Sequence, residues 1–307
     1  MPSLTVIKPG MLTTIQDLGR WGLQSRGVPV AGPMDEYSHR LANRLAGNAE
    51  TAAALEITLM GPELQFDAPV ICVVAGATFG LAVGDTPLPM HTPFEVSPGV
   101  RLRVGTRSAG ARATLAVRGG IEAEQIFGSA ATSLISRMGP LGGRALKAGD
   151  ILPLGHVATS GAAAARGYPL PLPSGGARLR VIPGPHAEMF TPGAFEVLYG
   201  SRFTITPNSN RIGYRLEGPP LLHRGSADIL SDATAIGSLQ VPASGQPIML
   251  MADRQTTGGY PKIATVITAD LPVAGQLAPG DWVEFTACTR QAALDALKNR
   301  RARLEGR

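Results

Sequence analysis

The residues best suited to chemistry fall in three polar, glycine-rich clusters. The densest follows the apolar run Gly245-Gln-Pro-Ile-Met-Leu-Met-Ala252 and reads Asp253-Arg-Gln-Thr-Thr-Gly-Gly-Tyr-Pro-Lys262. Loops leaving a buried strand are where rigid scaffolds carry functional groups. Lys262 is one of only four lysines beside 24 arginines. A compact ammonium suits a developing oxyanion or a phosphoryl group better than a guanidinium fork does. The plainer alternative is a solvated hairpin tip. The second cluster is Asn208-Ser-Asn-Arg-Ile-Gly-Tyr-Arg-Leu216. In an extended chain Arg211 and Arg215 would share a face and clamp an anion, because side chains alternate with period two. Two surface arginines paired with Glu217 or Asp228 are the alternative. The third cluster is Thr13-Thr-Ile-Gln-Asp-Leu-Gly-Arg20, followed by Gly27-Val-Pro and Gly32-Pro-Met-Asp35. Glycines there let backbone N–H groups approach a ligand, and Arg20 offers a planar fork. A turn network in which Asp17 and Asp35 only cap backbone explains the same residues.

Other chemistries have no sequence signal. There is no Gly-x4-Gly-Lys phosphate loop, no HExxH, no GxSxG and no Met-Lys-Met biotin acceptor. The five histidines (His39, His91, His156, His186, His223) are scattered and read as structural or surface residues. The net charge of +5 resembles a nucleic-acid signal, but from Arg290 onward six basic and two acidic residues concentrate a net +4 in the tail. That tail reads as the solvated end of a terminal helix, and no basic face with interleaved aromatics is present. Cys72 and Cys288 are far apart, and Cys72 lies in an apolar run that suggests a buried thiol. No run approaches a membrane span, and the start lacks a leader pattern, so a reducing cytoplasm is the expected compartment.

The elements that must position these clusters are mainly strands. With 38 Gly, 26 Pro and 17% charged residues, short strands and tight turns fit better than long helices. Strands are expected near 3–7, 55–59, 70–75, 101–104, 113–117, 178–182, 203–205, 248–252, 263–267 and 282–285. The stretch 13–35 reads as too polar for core. Tyr37, Leu41 and Leu45 recur every four residues, so Asp35 should cap a helix over 36–46 that Gly47 ends, with one further turn capped by Asn48. A basic amphipathic helix is expected over 289–304. Residues 160–166, with Pro169, Pro171 and Pro173, look like a linker. Turn signals recur in order across it: Pro9-Gly10 with Pro183-Gly184, Gly61-Pro62 with Gly218-Pro219, Gly119-Gly120 with Gly258-Gly259, and Gly149-Asp150 with Gly280-Asp281. A duplicated β unit follows, whose junction would be the natural ligand site. The expected organisation is a first β unit over 1–158, a linker over 159–177, a second β unit over 178–288 and a basic helix over 289–307.

Taken together, these motifs resemble the biotin-dependent carboxyltransferase family, whose bacterial members include the C subunit of 5-oxoprolinase, formerly called the second subunit of allophanate hydrolase. The resemblance rests on Thr-Thr-Ile-Gln-Asp-Leu-Gly-Arg, on Asn-Arg-Ile-Gly-Tyr-Arg-Leu-Glu-Gly and on Asp-Arg-Gln-Thr-Thr-Gly-Gly-Tyr-Pro-Lys-Ile-Ala, and it extends over nearly the whole chain. It implies a mostly β protein of two cyclophilin-like β-barrel units, with the B and A subunits of 5-oxoprolinase as partners. The implied reaction is ATP-dependent opening of 5-oxoproline to glutamate, with Mg-bound ATP held by this chain or at the partner interface and no attached biotin. The family also contains the carboxyltransferase part of urea carboxylase and a non-catalytic antagonist of a kinase inhibitor. Neither a nucleic acid nor a membrane is an expected partner.

Roles for single residues come from their chemistry. Arg211 and Arg215 would clamp the substrate carboxylate or a phosphate. Lys262 would neutralise the carbonyl oxygen, and Asp253 or Asp17 would orient water or metal-bound phosphate. Gln16, Gln240 and Tyr260 would fix the ring by hydrogen bonds, and Arg20, Tyr214, Thr256 and Thr257 are further candidates for binding the substrate.

Overall fold

The computed structural model describes residues 1–156 and 166–307. Most of the linker expected at 160–166 lies outside the described residues. The chain divides into two compact units, one made of residues 1–20, 31–172 and 301–307, the other of residues 21–30 and 173–300.

The first unit is a nine-stranded half-barrel sheet. Its strands are β1 (Ser3–Lys8), β2 (Leu12–Gln16), β3 (Ala54–Thr58), β4 (Glu63–Phe66), β5 (Val70–Val83), β6 (Thr86–Pro87), β7 (Phe94–Val96), β8 (Arg101–Val117) and β9 (Ile151–Pro153). The main path runs β2-β3-β8-β4-β1-β9, and β5 pairs with β6, β7 and β8. Inward residues such as Leu4, Val6, Leu55, Ile57, Leu64 and Leu115 fill one core. Cys72 is wholly buried within it, and burial pushes its thiol pKa up.

Three local expectations are corrected here. The segments 101–104 and 113–117 are one continuous strand, β8, which pairs along β5 through register shifts between Gly76 and Leu81. Exposed polar residues such as Thr106, Arg107 and Ser108 hide that continuity, because this stretch has no alternation to read. The stretch after residue 12 is not all loop: β2 buries Thr13, Thr14 and Gln16. Most of their side-chain polar atoms have internal partners: Thr13 Oγ1 donates to Pro9 O and Gln16 Nε2 donates to Thr14 Oγ1 and Thr132 O, while Gln16 Oε1 has none among the described residues. One further turn does follow, closed by Ala52 N donating to Ala49 O at 3.0 Å, but Asn48 does not cap it; its side chain donates to Val117 O at 2.8 Å and accepts from Gly119 N at 2.9 Å.

The helix Glu36–Ala46 forms where its periodicity places it. Asp35 accepts from Ser38 N at 2.9 Å, and Gly47 closes the end in a left-handed conformation. Tyr37, Leu41, Ala42 and Ala46 pack on Ala54, Val73, Ala75 and Ala116.

The second unit is a closed seven-stranded barrel. Its strands are β10 (Gly176–Pro183), β11 (Arg202–Ile205), β12 (Gly213–Glu217), β13 (Asp232–Ala233), β14 (Ser238–Gln240), β15 (Ile248–Leu250), β16 (Thr257–Gly258), β17 (Lys262–Val266) and β18 (Trp282–Ala287). The barrel runs β10-β17-β14-β15-β12-β11-β18, and β13 and β16 form a separate two-stranded ribbon. Val181, Phe203, Leu216, Leu239, Met249 and Phe285 are buried, and the Phe203 and Phe285 rings lie 6.0 Å apart. Parallel pairing of β10 with β18 closes the circle. The terminal helix runs Arg290–Leu304, and part of its basic end is committed: Arg301 pairs with Glu50 and Arg303 donates to Pro169 O. Among the described residues no helix is long and apolar enough to cross a membrane.

Candidate functional site

Lys262 owes its position to a bulge. Leu239 pairs with Ala264, but the next residue, Gln240, pairs with Lys262, so Ile263 is the extra residue on β17. A bulge re-aims the side chains beyond it. Lys262 is thereby placed opposite Gln240 and off the register of Leu239.

The Lys262 side chain is almost fully buried. Its Nζ donates to Asp232 Oδ2 at 2.9 Å and to Ala233 O at 2.9 Å, which uses two of its three N–H groups. Lys262 holds the Asp232 carboxyl below the ordinary carboxylate range, helped by the Ala233 N–H. His186 completes the group. Its Nδ1 accepts from Lys262 N at 3.3 Å, and its Nε2 lies 3.9 Å from Asp232 Oδ2.

The ribbon of β13 and β16 frames the same region. Gln255 Nε2 donates to Gln240 Oε1 at 3.1 Å, and Thr234 Oγ1 donates to Gln255 O. Gly258 leaves room for that amide: a Cβ on it would lie 2.4 Å from Gln240 Nε2. Arg254, buried beside this ribbon, donates from Nε to Thr234 O at 3.2 Å. Thr256 is half-buried and gives its carbonyl to Thr234 N, while Thr257 and Tyr260 are exposed.

The two arginines of the central cluster do not share a face. The strand begins only at Gly213, so the period-two argument does not reach Arg211. Arg211 is buried and grips Asp253 with two hydrogen bonds of 2.9 and 3.0 Å, whereas Arg215 is exposed on β12. The partner is Asp253 rather than Glu217 or Asp228. Tyr214 is buried and its hydroxyl donates to Leu277 O at 3.1 Å.

In the first unit, Asp17 ties a loop. It accepts from Gly19 N at 2.9 Å, Ser129 Oγ at 2.6 Å and Ala130 N at 2.7 Å. Arg20 is buried and donates to the carbonyls of Ile126 and Ala131. Gln16 is buried beside Thr132.

The structure thus brings together Lys262, Gln240, Thr256 and Thr257 around one ribbon. It adds Asp232, His186 and Arg254, which sequence reasoning missed. Arg254 stood in the quoted motif, but nothing local shows which of Asp253 and Arg254 has a partner. Asp232 and His186 lie 30 and 76 residues from Lys262, with no spacing signal. Chemically, the group offers an ammonium paired with a carboxylate, beside amide and guanidinium donors. That set suits an oxygen bearing negative charge. Among the described residues no cluster of His, Cys, Asp and Glu could hold a metal ion.

Comparison with known proteins agrees with this architecture. Residues 26–287 match the carboxyltransferase domain, subdomain A and B. The chain belongs to the carboxyltransferase domain family. Within it, the chain is 38% identical to the 5-oxoprolinase C subunit of Haemophilus influenzae, over 91% of this chain and 89% of that protein. It is 36% identical to the 5-oxoprolinase C subunit of Escherichia coli, over 98% of this chain and 96% of that one. The crystal structure of the K. lactis urea amidolyase superposes with a TM-score of 0.93 at 32% identity, covering 99% of this chain and 20% of that much longer one. Carboxyltransferase-family membership therefore holds for the chain as a whole, on a mostly β scaffold.

Proposed function

We propose that this chain is one component of an ATP-dependent enzyme that opens 5-oxo-L-proline to L-glutamate, working with the A and B subunits of that enzyme. The supporting observation is end-to-end correspondence with proteins named as the C subunit of 5-oxoprolinase, which this chain matches over 89% and 96% of their lengths.

Opening a lactam ring places negative charge on the carbonyl oxygen as water adds to the carbon, the C–N bond breaks and the nitrogen takes a proton. In this reading Lys262 faces that oxygen through its remaining N–H, and Asp232 holds the ammonium in place. Gln240, Thr256, Thr257 and Tyr260 border the substrate. Arg211 and Asp253 neutralise each other and keep the base of the loop in place. ATP, the co-substrate that drives the reaction, is assigned to a partner subunit or to the interface with it. The chain has no phosphate loop, and no metal-ligating cluster occurs among its described residues.

The superposition with urea amidolyase supports a second reading, transfer of a carboxyl group from carboxybiotin to urea or a similar amide. Co-expression with homologues of the A and B subunits separates the two. The first reading expects 5-oxoproline-dependent release of phosphate and glutamate. Turnover only with urea, bicarbonate and a biotinylated carrier would replace it with the second.

A further inference from the structure

Arg211 and Arg254 are each 6% exposed, yet only one has a counter-ion. Asp253 closes on Arg211 with two hydrogen bonds. The guanidinium of Arg254, the residue after Asp253, has one protein hydrogen bond among the described residues, from Nε to Thr234 O at 3.2 Å, and no ion pair. A buried charge without a partner is costly, so a guanidinium kept this way points to a ligand that supplies the missing charge. Burial alone lowers the Arg254 pKa to about 10, with no carboxylate offsetting it, and the group stays charged at neutral pH. A second unsatisfied donor lies in the same network: Gln240 Nε2 is buried and has no acceptor among the described residues. Lys262 and Arg254 also hold consecutive carbonyls, Ala233 O and Thr234 O, so both cations attach to one short segment.

We propose that Arg254 is the anchoring group of an oxyanion subsite beside Lys262, taking a carboxylate or a phosphoryl group through the terminal nitrogens of its guanidinium. That the natural occupant is the carboxylate of 5-oxoproline rests on the function proposed above; the oxyanion subsite itself does not.

The test uses the full-length chain, with ligand binding read by calorimetry and by the shift in melting temperature. The probes are inorganic phosphate, 5-oxo-L-proline and 2-pyrrolidinone, the same lactam without a carboxylate. Wild type is expected to bind 5-oxoproline or phosphate and to ignore 2-pyrrolidinone. Arg254→Met should weaken binding by about 10- to 100-fold, the loss typical of hydrogen bonds to a charged group. Its melting temperature without ligand should equal or exceed that of wild type, because an unpaired buried charge has been removed. Arg254→Lys, which keeps the charge and loses the fork, should fold normally and bind more weakly than wild type. Binding of phosphate alone supports the subsite and counts against 5-oxoproline as its occupant. No binding by wild type, or undiminished binding by Arg254→Met or by Arg254→Lys if the Met variant does not fold, overturns the proposal.

Discussion

Lys262 Nζ lies 2.9 Å from Asp232 Oδ2, yet the two side chains differ sharply in exposure, 1% against 52%. The cation is sealed on the barrel wall, while its carboxylate sits on a two-residue strand open to solvent. Asp232 therefore holds the ammonium from the solvent side. Replacing Lys262 with Met should lower turnover of the assembled complex at least ~100-fold, the loss typical of one oxyanion donor. Asp232→Asn keeps the size of the side chain and removes its charge, and should reduce turnover less than the lysine change does. Steady-state assays of both variants decide this; near-normal turnover of Lys262→Met removes Lys262 from the chemistry.

The pair Arg211–Asp253 supports a different prediction. Both side chains are buried, at 6% and 1% exposure, and the contact is bidentate. Breaking such a pair leaves a buried charge uncompensated, at a cost of about 3–5 kcal/mol. Asp253→Asn should destabilise the chain by that amount in urea unfolding, and the double change Arg211→Met with Asp253→Leu should recover much of the loss. A stability for Asp253→Asn within about 0.5 kcal/mol of wild type, the range of an ordinary surface change, contradicts the structural role.

What the sequence made legible follows the range of the physics involved. The helix Glu36–Ala46 is readable because its cap, its apolar spacing and its terminal glycine all lie within a dozen residues. Strands such as β10 are readable from alternation, since Leu179 and Val181 are buried between exposed or half-buried neighbours. β2 is not, because Gln16 is made tolerable in the interior by Thr132, 116 residues away. The partners of Lys262 are hidden in the sequence for the same reason. Lys262 stands out by its rarity, but its carboxylate is 30 residues upstream, and the bulge that aims it depends on cross-strand register. The period-two argument for Arg211 and Arg215 failed because it assumed a strand that starts two residues later.

His39 makes the first unit sensitive to acid. The ring is fully buried, its Nε2 accepts from Asn43 Nδ2 at 3.2 Å, and desolvation lowers its pKa from 6.5 to about 4. The folded state therefore resists a proton that the unfolded chain accepts. The stabilisation is complete above the unfolded value of 6.5 and is lost as pH falls toward about 4. Between pH 7 and pH 5 the loss from this residue should be about 2 kcal/mol. Urea unfolding at the two pH values, with His39→Gln beside wild type, measures it. An equal pH dependence in both proteins would show that His39 is not the responsible group.

Closure of the second barrel depends on the approach of Gly176 to Trp282. These residues pair at the start of the parallel β10–β18 ladder. A Cβ on Gly176 would lie 2.3 Å from Trp282 Cδ2 and 2.4 Å from Trp282 O, and the backbone there has φ +157°. The indole cannot easily swing aside, because the Arg202 guanidinium lies over it at 4.2 Å. Gly176→Ala should therefore cost about 2–4 kcal/mol, combining overpacking with backbone strain. The loss should be confined to the second unit, so hydrogen exchange should rise in β10 and β18 while the β5–β8 ladder of the first unit keeps its protection. Uniform loss of protection across both ladders would mean that the two units unfold as one.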